Sequence, residues 1–250
     1  MSGTFPENKK IKLAIFDIDG TIFRSSLLIE LVNEFVKEEI FPQKVLQEIE
    51  RDYQAWLNRK GSYDNYITSV VKVYVKHIGG KKQSDVLRAA RCVIKEQRER
   101  MYRFTRNLIE KCREEGYYLV AVSGSPHEIV ESFVKTMHFD AAFGTLYEVS
   151  GGSYTGKIFL ANTVSDKSKV IRLFLKDYGL QADFKKSLAV GDTEGDVPML
   201  SLVGNPIAFN PNKNLLEVAK NRGWRIVVER KDVVLEVQKF KELKHRQYGS

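Results

Sequence analysis

The stretch Ile11-Lys12-Leu13-Ala14-Ile15-Phe16-Asp17-Ile18-Asp19-Gly20-Thr21 decides the fold. Its opening residues form a short apolar run that stops at Asp17, the pattern of a strand buried on both faces. Two further runs repeat the design: Tyr117–Val122 after Gly116, and Ser187–Val190 before Gly191-Asp192. Ile207–Phe209 and Arg225–Val228 are weaker candidates. Amphipathic helical patterns lie among and after these runs, at about 126–136, 166–178, 212–222 and 231–243. Strands alternating with helices predict a parallel α/β sheet, which binds ligands beyond the carboxyl ends of its strands. Asp17, Ser123 and Asp192 all fall there.

Residues 24–115 break that alternation. They hold helical patterns at about 26–40, 43–58, 63–78 and 84–115, separated by Pro42, Gly61 and Gly79-Gly80, with no convincing strand. A block this long cannot be a single crossover helix, so it predicts a helical cap packed over the strand ends. The implied division is a core of 1–23 and 116–243, a helical cap of 24–115 and a polar tail of 244–250. Leu146–Val149 and Ser153–Thr155, joined by Ser150-Gly151-Gly152, predict a β-hairpin. Gly151 to Lys157 has the spacing of a P-loop, but Ile158 stands where the Mg²⁺-binding hydroxyl would be, and a hairpin is the wrong context.

The 250 residues are 43% apolar and 29% charged, which excludes disorder, collagen and a disulfide scaffold. No run approaches the roughly 18 apolar residues of a membrane span. Met1–Lys10 has no apolar signal region, so a cytoplasmic protein is expected. Cys92 and Cys112 read as free thiols in a reducing compartment. Lys plus Arg is 40 against 32 Asp plus Glu, a formal charge of +8 that favours anionic partners without choosing among them. Much of it is local, in Arg88, Arg91, Lys95, Arg98, Arg100, Arg103 and Arg106 against Glu96 and Glu99. That stripe lacks interleaved aromatics apart from Tyr102, so it reads as a solvated face and nucleic acid is not expected as a partner.

The chemistry sits at the strand ends. Asp17 and Asp19 stand two positions apart beside a glycine, and such a pair is costly to bury without a cation or donors. One carboxylate can attack phosphorus while the other works as acid and base. A solvated acidic turn is the plain alternative. Ser123-Gly124-Ser125-Pro126-His127-Glu128 puts a hydroxyl and backbone amides at a helix start, with capping-box spacing between Ser125 and Glu128. Gly191-Asp192-Thr193-Glu194-Gly195-Asp196 adds hard oxygen ligands suited to Mg²⁺, and Asp166-Lys167-Ser168-Lys169 offers a cation.

This order of motifs resembles the haloacid dehalogenase superfamily of phosphatases, over nearly the whole chain. The insert, with Phe143-Gly144-Thr145, Tyr154-Thr155-Gly156 and Asn205-Pro206-Ile207-Ala208, is similar to its IB branch, which contains phosphoserine phosphatase. The resemblance implies a Rossmann-like doubly wound parallel sheet with an inserted α-helical cap domain. It further implies Asp17 as nucleophile, Asp19 as general acid/base, and Ser123, the Gly124 amide and Lys167 on the transferring phosphate. Asp17, the Asp19 carbonyl and Asp192 would hold Mg²⁺, with Asp196 orienting metal waters or the lysine. Lys167 is preferred to Lys169 because Val170 and Ile171 follow it at the family's apolar spacing. Phosphoserine phosphatases carry a Glu where this chain has Ser26, and a cap Arg where it has Val70; their second motif reads Ser-Gly-Gly rather than Ser123-Gly124-Ser125. The chemistry therefore transfers better than the substrate. The expectation is a cytoplasmic Mg²⁺-dependent phosphatase acting on a small phosphorylated metabolite through an aspartyl-phosphate, with phosphoserine as the alternative and no membrane partner. Rivals from other classes are a phospho-accepting receiver and a basic binding protein on a silent core.

Overall fold

The computed structural model describes residues 10–160 and 166–238. Strand β1 (Leu13–Phe16) is followed by helices α1 (Leu27–Lys37), α2 (Lys44–Leu57), α3 (Tyr63–Ile78), α4 (Gln83–Gln97) and α5 (Arg103–Glu114). Strand β2 (Tyr118–Pro126) leads to α6 (His127–Lys135) and to the hairpin of β3 (Ala141–Ser150) and β4 (Ser153–Leu160). The chain then forms α7 (Lys167–Asp177), β5 (Leu188–Gly191), a 3-10 turn at Glu194–Asp196, α8 (Val197–Leu200), β6 (Asn205–Phe209), α9 (Lys213–Arg222), β7 (Arg225–Arg230) and β8 (Val233–Glu236). All strands belong to one sheet of order β4-β3-β2-β1-β5-β6-β7-β8. From β3 to β7 the neighbours run parallel, and the two edge strands are antiparallel.

Side-chain alternation makes the sheet two-faced. Ala14, Phe16, Leu119, Ala121 and Val190 point to one side, where they share a continuous apolar core with α1, α3, α4 and α6. Leu13, Ile15, Val120, Val122 and Ala189 point to the other, against α7, α8 and α9. Both faces are covered, which is why the central strands read as unbroken apolar runs. The fold is the expected doubly wound α/β sheet with inserted helices.

Topology places the crevice. From β1 the chain builds outward to β2 and β3, and later returns to pair β5 on the opposite side of β1. The carboxyl ends of β1 and β5 therefore diverge at a switch point, the place where open sheets of this kind bind ligands. The insert roofs it, and its own packing is aromatic: Phe35 meets Phe41 at 4.8 Å and Tyr74 at 6.1 Å between ring centroids.

Two helical expectations are corrected. The pattern at 84–115 is not one helix but two. Residues 98–102 turn back to the loop that follows β1, where Met101 bridges Phe23, the Tyr102 amide donates to the Ile22 carbonyl and the Arg24 amide to that of Arg100. No Gly or Pro marks the break; backbone pairing with a distant segment makes it. The basic stripe is consequently split between α4 and α5, with Arg88 tied to Glu38 and Asp85, and Arg100 to Glu30. The helix expected at 231–243 is a strand over its described part: Lys231, at φ 55°, turns the chain so that β8 pairs with β7. The rest of that pattern, and the tail 244–250, lie outside the described residues. The hairpin at 145–157 forms as expected, with Gly151 and Gly152 at positive φ in its turn. Among the described residues no helix is long and apolar enough to cross a membrane.

Candidate active site

Two glycines let the strand-end loops interlock. Gly20 has φ +82°, and a Cβ there would stand 2.2 Å from Asp192 Oδ2. A Cβ on Gly191 would fall 2.5 Å from the side chain of Asp196. With both side chains absent, Asp17, Asp192 and Asp196 each bring one carboxylate oxygen within 4.8 Å of the others.

Lys167 enters this cluster from the first turn of α7, a helix capped by Asp166, whose side chain accepts from the Ser168 amide at 3.0 Å. Its Nζ donates to Asp17 Oδ1 at 2.5 Å and to Asp196 Oδ1 at 2.6 Å. Lys169 points to the surface, 3.9 Å from Asp166, so the geometry separates the two candidate lysines. Asp196 accepts at its other oxygen from the amides of Asp192 (2.9 Å) and Thr193 (3.1 Å). Both its oxygens are engaged, and it pins the lysine to the β5 loop.

Fully ionised, three carboxylates facing one ammonium would leave two negative charges unbalanced. Burial pushes the Asp17 carboxyl up to about 7; Lys167 pulls it back, while Asp196 and Asp19 add to the rise. Asp192 is held well above the carboxylate range by burial and then by Asp17 and Asp196. Burial opposes charge on Lys167, but Asp17 and Asp196 override it and hold the ammonium above its ordinary value. Asp17 Oδ2 is buried without a hydrogen-bond partner. An acceptor stranded this way costs about 1–3 kcal/mol and marks a place where a ligand or reacting atom belongs. The donor set is hard oxygen and the charge deficit of the ionised cluster is that of a divalent cation. The residues fit Mg²⁺.

Asp19 faces away from this cluster. Its Oδ1 accepts from the Leu27 amide at the start of α1 (2.5 Å), and its Oδ2 from the hydroxyls of Ser123 (2.5 Å) and Ser125 (2.9 Å). The capping box expected between Ser125 and Glu128 does not form. Ser125 lies within β2, where it donates to Asp19 and accepts from the Leu28 amide, while Glu128 accepts from the Tyr154 hydroxyl. Ser123 and Gly124 accordingly sit at a strand end rather than in a helical first turn, because the tertiary partners of Ser125 and Glu128 outcompete local capping. Ser123 is wholly buried; Gly124 and Ser125 line the cavity above it.

That cavity holds about 430 Å³. Asp17, Asp19, Lys167 and Asp192 line it from the core, and Leu28, Tyr63, Ile67 and Val71 from the insert give it an apolar side, with Ser26, Asp64 and Thr68 among them. Val70, the position compared with a substrate-binding Arg, is buried in the core instead. Three participants had no role at the site assigned from sequence, Ser125 having been read only as a helix cap. Thr21 donates to Asp192 Oδ1 at 3.3 Å and had a signal, as the last residue of the acidic pentapeptide. Ser125 had one as the departure from Ser-Gly-Gly. Tyr63 had none, since nothing local says which insert residue hangs over the site.

Residues 14–201 match the model of haloacid dehalogenase-like hydrolases, and the chain belongs to that family. A phosphoserine phosphatase of Mycobacterium tuberculosis is 24% identical over 224 residues, covering 85% of this chain and 69% of that protein. A putative hydrolase of Mycobacterium leprae is 31% identical over 130 residues, 51% of this chain and 42% of its own length. The chain thus spans between 42% and 69% of these two relatives. Among solved structures, a Bordetella pertussis protein of unknown function superposes with a TM-score of 0.70 at 20% identity, covering 87% of this chain and 98% of that one. A phosphoserine phosphatase solved as a phospho-aspartyl intermediate analogue gives 0.59 at 22% identity, covering 90% and 96%. The structural likenesses establish the fold; the family and its relatives support an enzyme of the phosphatase class.

Proposed function

We propose that this hydrolase is a Mg²⁺-dependent phosphatase that cleaves a small phosphomonoester through an aspartyl-phosphate on Asp17. The carrying observation is the buried, unpartnered Oδ2 of Asp17, held beside Lys167 at the meeting point of three strand-end motifs. Asp17, the Asp19 carbonyl and Asp192 would hold Mg²⁺, whose chemistry is to neutralise the phosphoryl oxygens and fix them for in-line attack. Oδ2 of Asp17 forms the new bond to phosphorus as the bond to the substrate alcohol breaks. The departing oxygen takes a proton from Asp19, which the Ser123 and Ser125 hydroxyls and the Leu27 amide hold in place. Asp19 then takes a proton from water, whose oxygen attacks phosphorus and restores the Asp17 carboxylate. Lys167 stabilises charge on the transferring group, the Gly124 amide binds its oxygens, joined by the Ser123 hydroxyl once that hydroxyl turns from Asp19, and Asp196 keeps the lysine extended. The helical cap of 24–115 closes over this site and excludes bulk water. Free Cys92 and Cys112 accord with a reducing cytoplasm.

Phosphoserine remains the second reading, favoured by the names of the curated relatives. Against it, Lys167 is the one cation lining the cavity among the described residues, and Ser26 and Val70 supply neither group that would grip an amino acid. The test is phosphate release from p-nitrophenyl phosphate and from phosphoserine, with and without Mg²⁺, using Asp17→Asn as the blank. Turnover that persists in EDTA or in Asp17→Asn defeats the proposal.

A further inference from the structure

The reaction cavity has a larger neighbour. A chamber of about 630 Å³ opens beside Tyr63, between α1, α2, α3 and the loop that follows Asp19. Tyr63 and Asp192 belong to the walls of both spaces, so the chamber abuts a candidate metal ligand. Helical spacing builds its inner wall: Tyr53 and Trp56 share a face of α2, and Tyr63 and Tyr66 a face of α3. Trp56 and Tyr66 stack with centroids 5.6 Å apart and planes 14° apart. Tyr63 stands on edge to Trp56 at 5.5 Å and 62°. Rings at helical spacing ordinarily fill a core, yet here they border open space. Arg24 and Arg100 also line the chamber. Arg100 is bound to Glu30, whereas Arg24 lies over the Tyr102 ring at 5.8 Å and, among the described residues, has no carboxylate in ion-pairing reach.

We propose that this chamber receives the alcohol part of the substrate, a phosphomonoester whose alcohol carries an aromatic ring and an acidic substituent directed to Arg24. The inference rests on the phosphatase reading of Asp17. The two spaces differ in their side chains: the chamber has aromatic rings and two guanidinium groups, the cavity more carboxylates and a lysine. The reaction cavity is acidic, with Asp64 on the insert side and Glu194 beside Asp192, and its cation Lys167 is already bound to Asp17 and Asp196. The chamber offers aromatic faces and, in Arg24, a guanidinium with no ion-pair partner among the described residues, although Glu50 and Asp192 also stand in its walls. A cationic ligand would also suit aromatic faces, but it would meet Arg24 at the same sign.

The test uses esters of matched leaving-group basicity: ethyl phosphate, 2-(2-naphthyl)ethyl phosphate and the 6-carboxy form of the latter. Trp56→Ala should lower kcat/KM for the naphthyl ester about tenfold and leave ethyl phosphate within about twofold, with Trp56→Phe restoring most of the loss. Arg24→Gln should abolish the preference for the carboxylated ester. Trp56 and Trp224 are the only tryptophans. In a Trp224→Phe background, 2-(4-nitrophenyl)ethylphosphonate should therefore quench Trp56 fluorescence saturably, whether or not the protein turns over. Absence of quenching, or equal effects of Trp56→Ala on ethyl and naphthyl esters, overturns the inference. Quenching without turnover of any ester, p-nitrophenyl phosphate included, upholds the chamber and overturns the phosphatase reading instead.

Discussion

Replacing Lys167 by Met removes the ammonium from the acidic cluster while keeping an unbranched stem in its place. In the native protein Nζ bonds to Asp17 at 2.5 Å and to Asp196 at 2.6 Å, and all three side chains are buried. The variant leaves two acceptors unpaired and takes the ammonium out of a cluster of three buried acids. Breaking a buried pair costs about 3–5 kcal/mol. For a chain of this size each kcal/mol moves the unfolding midpoint by about 2–4 °C, so the midpoint in EDTA at neutral pH should fall by about 6–20 °C. Mg²⁺ neutralises the same carboxylates, and should raise the midpoint of the variant by more than it raises that of the native protein. Thermal unfolding followed by circular dichroism, in EDTA and in excess Mg²⁺, measures both effects. A variant that melts with the native protein in EDTA would refute Lys167 as the charge balance of the cluster. Equal Mg²⁺ shifts in the two proteins would refute the idea that ion and lysine serve the same acids.

Other perturbations probe separate parts of the site. Asp17→Asn should fold, because the amide can still accept from Lys167, and should lose turnover by more than about 10⁴-fold; covalent phosphate found on this variant would place the nucleophile elsewhere. Asp19→Asn should lose about 10²–10⁴-fold in kcat yet bind Mg²⁺ normally by calorimetry, since its carboxylate points to Ser123 and Ser125 rather than to the acidic cluster. Gly20→Ala combines a left-handed residue, costing about 1–2 kcal/mol, with a Cβ 2.2 Å from Asp192 Oδ2. Its Mg²⁺ affinity should drop at least about tenfold, and native affinity would show that the two loops are less tightly interlocked than the distance implies. Burial pushes the Cys112 thiol up to about 11, so at pH 8 it stays protonated, and maleimide should label Cys92 first and Cys112 only after unfolding. Early labelling of Cys112 would mean that α5 opens readily from β2.

The site was legible where chemistry and chain position coincide. Asp17, Asp192 and Lys167 each follow a strand end or open a helix, and each is a charged group that an apolar run would not otherwise tolerate. Groups whose role depends on a distant partner were harder to read. Ser125 and Glu128 have the spacing of a capping box, yet each finds a partner on another element, Asp19 and Tyr154, and takes it. Residues 98–102 carry no breaker, and their exit from helix comes from pairing with Ile22–Arg24.

By itself the sequence determined the parallel α/β sheet, the helical insert and the order of acidic and hydroxyl groups along the strand ends, because apolar periodicity and the placing of charged residues at the ends of apolar runs are local properties of a chain. Only the tertiary structure decided which oxygen of Asp17 is left without a partner, which lysine reaches it and which rings of α2 and α3 frame the adjoining chamber. Those outcomes depend on distances between segments more than a hundred residues apart, and burial and charge balance act only once the chain has brought them together.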